Sequence, residues 1–79
     1  MKRVLIVDDE SIVRVTLRSL TDWESWGYTL VKDCLDGLQA LEYIKNHPVD
    51  LLITDMKMPG LDGLGLIRRL KAENLLPVT

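Results

Sequence analysis

With 79 residues, 47% of them apolar and 28% charged, the chain has the composition of one folded domain rather than of a disordered segment. Its net charge is −2 and its Lys and Arg residues are scattered among acids, so it carries no electrostatic footprint for nucleic acid and no direct contact with DNA or RNA is expected of this segment. The single cysteine, Cys34, cannot close an internal disulfide, and no apolar run is long enough to span a bilayer or form a signal-peptide core, so a soluble protein of a reducing cytoplasm is expected, with no membrane contact.

Val4 to Val7 is a continuous aliphatic run, the pattern of a central parallel strand covered on both faces. From Ser11 the period changes: Ile12, Val13, Thr16, Leu17 and Leu20 share one face of a helix, with Arg14 and Arg18 on another. Asp22 to Gly27 breaks that period, and Gly27 is a good stop before the more polar strand Tyr28 to Asp33, which is expected at a sheet edge. Asp36 can cap a second helix with Leu38, Leu41 and Ile44 inward, ending at Asn46-His47-Pro48, where proline cannot continue it. Val49 to Thr54 predicts a second central strand, and a turn-rich stretch, Met58 to Gly63, follows it. Asp62 can cap a third helix with Leu64, Ile67 and Leu70 inward and Arg68, Arg69 and Lys71 outward, and Leu75 to Thr79 looks like the approach to a fourth strand.

Strict alternation of strand and helix predicts an α/β domain over residues 1–79, a parallel sheet with right-handed crossovers and about three βα units plus the start of a fourth strand. Ligands in such sheets bind beyond the carboxyl ends of the strands, where the winding direction reverses. With the first strand between the second and third, that point falls between Asp8-Asp9 and Asp55.

Taken singly, Asp8-Asp9-Glu10 and Asp55 are ordinary: acids are favoured at helix N-termini and in turns. Together they are not, because two carboxylates about 4.5 Å apart at an effective dielectric near 20 repel by roughly 3.7 kcal/mol. Such a cluster calls for a shared proton or a hard divalent cation, and Mg²⁺ suits a site of few carboxylates completed by water and phosphate.

The runs Val4-Leu5-Ile6-Val7-Asp8-Asp9-Glu10 and Leu51-Leu52-Ile53-Thr54-Asp55-Met56-Lys57-Met58-Pro59-Gly60-Leu61-Asp62-Gly63 resemble the receiver domain of two-component response regulators, over essentially the whole chain. The resemblance implies a flavodoxin-like fold, Asp55 as phosphoacceptor, and a sensor histidine kinase as the phosphoryl donor. It further implies Mg²⁺ held directly by Asp9 and Asp55, through a water by Asp8, and by the backbone carbonyl of Lys57. A complete receiver has five strand-helix units, so the chain reads as a truncated one, lacking the hydroxyl residue of strand 4 and the lysine of strand 5. The segment with Trp23 and Trp26 resembles receivers linked to AraC-type helix-turn-helix domains, which implies a transcription-regulating parent.

Two other readings compete. A Mg²⁺-dependent aspartyl-phosphate phosphohydrolase would carry a second acid two residues beyond its nucleophile, where this chain has Lys57. A structural or interaction fragment without phosphorylation chemistry is the other, and an unfinished sheet of this size predicts self-association by edge pairing or swapping. The remaining residues have plain readings: Trp23 and Trp26 cover the core beneath a loop, His47 ends a helix, and Cys34 is a small buried apolar group.

Overall fold

The computed structural model describes residues 1 to 79. Strand β1 (Lys2–Val7) leads into helix α1 (Ser11–Leu20), and a 3₁₀ turn (Glu24–Trp26) leads into β2 (Tyr28–Cys34). Helix α2 (Gly37–Asn46), strand β3 (Leu51–Thr54) and helix α3 (Gly63–Ala72) complete the chain of elements. The strands form one parallel sheet in the order β2-β1-β3, the flavodoxin-like arrangement expected, with the polar strand at the edge.

From Val4 on, β1 is paired on both sides and covered on both faces, which selects apolar residues, and Val4, Leu5, Ile6 and Val7 are all buried. Its register with β3 is regular, Val4 opposite Leu51 through Val7 opposite Thr54. Against β2 it slips once: Val4 faces Leu30 but Leu5 faces Lys32, so Val31 has no partner. Val49 and Asp50 stand before β3 rather than in it, because Asp50 turns its side chain to the Arg3 amide (2.7 Å) while its own amide donates to the Arg3 carbonyl (2.9 Å). The expected approach to a fourth strand is present as a parallel bridge between Leu51 and Val78, with the Leu52 amide donating to the Val78 carbonyl at 2.7 Å.

The core fills the face of the sheet under α2 and α3, where Leu5, Val7, Cys34 and Leu52 meet Ala40, Leu41, Ile44, Leu66 and Leu70. Both helices are capped as read: Asp36 accepts from the Gln39 amide at 2.9 Å and Asp62 from the Gly65 amide at 2.8 Å. Their inward stripes differ from the expected ones. In α2 the buried residues are Gly37, Ala40, Leu41 and Ile44, and Leu38 is 57% exposed; in α3 they are Gly63, Leu66 and Leu70, Ile67 is half-buried and Leu64 is exposed. Each stripe starts at the glycine directly after the capping aspartate, because that glycine lies against backbone. A Cβ on Gly37 would strike the Leu61 carbonyl, and one on Gly63 the Asp55 carbonyl.

The other face of the sheet is covered by α1 alone, and no residue of α1 is fully buried: Ile12 is 67% exposed and Leu20 81%. Trp23 does sit under the loop as expected, its indole Nε1 donating to the Leu17 carbonyl at 3.0 Å. Trp26 does not; it is 66% exposed and meets Trp23 edge to face, because the 3₁₀ turn and the left-handed Gly27 (φ 83°) carry it outward. No helix is long and apolar enough to cross a membrane.

Candidate functional site at the carboxyl edge of the sheet

The ladders of β1 end in acid on both sides. The Asp8 amide donates to the Cys34 carbonyl of β2 (3.0 Å) and the Asp55 amide to the Val7 carbonyl of β1 (3.0 Å), so Asp8 and Asp55 leave the sheet at the carboxyl ends of adjacent strands. This is the edge where an open parallel sheet binds its ligand. Each carboxylate is then held by its own loop: Asp8 Oδ1 accepts from the Glu10 amide at 2.9 Å, and Asp55 Oδ1 from the Lys57 amide at 3.2 Å. One oxygen of each acid is thereby oriented, and its second oxygen accepts no hydrogen bond from the chain.

Asp8, Asp9 and Glu10 bring carboxylate oxygens within 4.8 Å of one another, with Asp8 half-buried and the other two exposed. Asp55 is not in that tight set; the register puts it one strand over, at the level of Asp8. Glu10 completes the set, although the family resemblance implies no ligand role for it. The ion pairs of the chain lie elsewhere, Arg18 with Asp33 and Glu73 with Lys45 and Arg69, so none of these four acids is neutralised by a basic side chain. Hard oxygen donors with uncompensated negative charge fit a hard divalent cation such as Mg²⁺ better than a softer one such as Zn²⁺ or Cu²⁺, for which no imidazole or thiolate partner is supplied.

Two supports of the site escaped the sequence reading. Arg14, on the first turn of α1, donates from Nη1 to the Asp8 carbonyl at 2.6 Å in a partly buried bond. Gly63 fits its Cα against the Asp55 carbonyl and the Met56 Cα, and Gly37 donates its amide to the Leu61 carbonyl at 3.0 Å. The loop from Asp55 to Asp62 is thus pinned at both of its neighbouring helix starts. The only signal for either glycine was its place after a capping aspartate.

Other candidates fall away from this edge. Cys34 is buried, and burial pushes its thiol up to about 11 from 9.0, against the smaller opposing pull of Lys32; it packs in the core as an apolar group. His47 ends α2, stacks on Tyr43 with ring centroids 4.3 Å apart, and lies at the end of the helix opposite the acids. A 520 Å³ surface groove lined by Lys32, Leu38, Glu42 and Tyr43 includes none of Asp8, Asp9, Glu10 and Asp55.

Residues 4–79 match the family model of the response regulator receiver domain. The chain is 47% identical over 77 residues to the response regulator GtcR of Aneurinibacillus migulanus, covering 98% of this chain and 31% of that protein. It is 39% identical over 72 residues to the transcriptional regulatory protein YesN of Bacillus subtilis, covering 91% of this chain and 20% of that one. Among solved structures it resembles the REC domain of AraT from Geobacillus stearothermophilus (TM-score 0.83, 39% identity, 90% of this chain and 55% of that one). It also resembles a two component transcriptional regulator AraC from Clostridium phytofermentans (TM-score 0.84, 33% identity, 99% and 64%). The chain therefore spans less than a third of these curated relatives and between half and two thirds of these solved chains.

Proposed function

The chain belongs to the response regulator receiver domain family, and on that premise we propose that it takes a phosphoryl group onto Asp55 from a sensor histidine kinase, with Mg²⁺ as cofactor. The observation that carries this reading is the pairing of β1 with β3, which sets Asp55 beside Asp8 at the carboxyl edge while the Lys57 amide holds one Asp55 oxygen. The other oxygen of the carboxylate attacks phosphorus as the P–N bond of the donor phosphohistidine breaks; the electron pair leaves on the imidazole, and an acyl phosphate remains. Asp9 and Asp55 would hold the cation directly, Asp8 through water, and Lys57 by its carbonyl. When bound, Mg²⁺ would offset the negative charge gathered on the phosphoryl oxygens.

In this role the chain is a substrate and switch, not a turnover enzyme, and its place is the cytoplasm, upstream of a transcription-regulating output. The exposed Ile12 and Leu20 of α1 support self-association as well. Sedimentation showing a folded monomer at micromolar concentration would remove that last element.

The test of the central reading is labelling by a small-molecule phosphodonor with Mg²⁺, comparing the chain with Asp55→Asn. Label on the parent alone is the expected result. Equal label on both would take Asp55 out of the chemistry.

A further inference from the structure

We propose that Arg14 is a positioning residue for the cation site, acting through the peptide that joins Asp8 to Asp9; this rests on the reading of the acid edge as a Mg²⁺ site. The Arg14 guanidinium donates to the Asp8 carbonyl at 2.6 Å. That carbonyl belongs to the planar unit from which Asp9 departs and on which Asp8 ends. Fixing its orientation fixes where both acids project, and a charged donor on a partly buried carbonyl is the strong form of such a bond.

Nothing else ties α1 to this loop through a side chain. Helix α1 has no fully buried residue, and its capping position, Glu10, makes no side-chain cap. Arg18, one turn on, reaches away from the acids to Asp33 on β2 at 3.3 Å. Arg14 forms no ion pair, although Asp8, Asp9 and Glu10 all lie within six residues of it. Its hydrogen bond goes to a carbonyl, so the carboxylate oxygens stay available to a cation.

A guanidinium near a cation site has two opposed effects. Its charge repels the metal, while its bond holds the metal's ligands in place. If charge dominated, removing Arg14 would tighten Mg²⁺ binding; positioning requires that it weaken binding. Lysine keeps the charge and can still donate from its ammonium but loses the rigid planar fork.

Calorimetric titration of the chain with Mg²⁺ alone separates these cases, using R14M, R14K and, as a control on the same helix face, R18M. Loss of a partner that orients a metal ligand costs 10 to 100-fold in affinity, so R14M is expected to bind about tenfold more weakly, R14K to fall between R14M and the parent, and R18M to stay within about twofold of the parent. The metal-free Asp9 amide resonance is expected to shift in R14M and not in R18M. Mg²⁺ binding by R14M as tight as or tighter than the parent's overturns the positioning role and leaves the proposed function standing. An equal loss in R18M overturns it too, by showing a general loosening of α1. A parent chain that does not bind Mg²⁺ overturns the metal reading itself.

Discussion

The two faces of this sheet are built on different terms. Under α2 and α3 the contact is close: glycines at both helix starts touch backbone, both capping aspartates are engaged, and Leu66 and Leu70 are fully buried. Over the opposite face lies α1, with an uncapped start, no fully buried residue, and Arg14, Arg18 and the Trp23 indole on its Leu17 carbonyl as its polar fastenings. The acids of the site sit between these regimes: Asp55 opens the loop that the closed face pins, and Asp8-Asp9 leads into the loosely covered helix. Buried helix residues are concentrated on one face, and Asp8 and Asp9 lead onto the other.

The sharpest way to break this contrast is to remove matched side chains. Leu66→Ala empties a fully buried position and should cost about 2–5 kcal/mol, while Ile12→Ala should stay within about 0.5 kcal/mol, both read by urea denaturation. Equal losses would show that α1 carries as much of the fold as α3. Next in size is Gly63→Ala, whose added methyl has no room beside the Asp55 carbonyl; about 1–3 kcal/mol is expected, with a displaced Asp55 amide resonance. Asp36→Ala should cost about 1 kcal/mol by stripping the α2 cap, whereas Glu10→Ala removes no cap at all.

At neutral pH the smallest effect, that of Cys34, is silent. Because the Cys34 thiol is raised from 9.0 to about 11 in the folded chain, the unfolded chain loses that proton first. Stability should therefore fall as pH rises from about 9 to about 11, being fully present below that window. Denaturation curves of Cys34→Ala against the parent isolate the contribution, since the variant should lack that part of the slope.

The polar strand at a sheet edge, both caps, the stop at Gly27 and the meeting of Asp8 with Asp55 at one sheet edge were legible in the sequence, because each rests on a local signal: an aliphatic run that ends in acid, an aspartate before a helical period, a glycine where the period breaks. The inward stripes of α2 and α3 were misread by the same mechanism. Leu38 and Leu64 each follow an Asp-Gly pair and look like the first core residue, yet the glycine before them is the true first position of the stripe. A residue with no side chain has no hydropathy to announce that it faces a neighbouring backbone. The exposure of Trp26 was hidden for a related reason, as it depends on the direction the chain takes through a turn and not on the residue's own preference. Arg14 could not be found from spacing, because its partner is a carbonyl, and every residue has one.

The unpaired Val31 decides more than a local kink. In an unbroken count from Val4 opposite Leu30, Val7 would stand level with Asp33, and a carboxylate would be driven into the apolar layer beneath α2. One extra residue flips the parity of the rest of β2, so that Val7 stands level with Cys34 and Ile6 with Asp33. The thiol is sent inward and the acid outward, where Arg18 meets it. A single frame slip thus sorts which of two neighbouring side chains is stored in the interior and which is left to hold a helix.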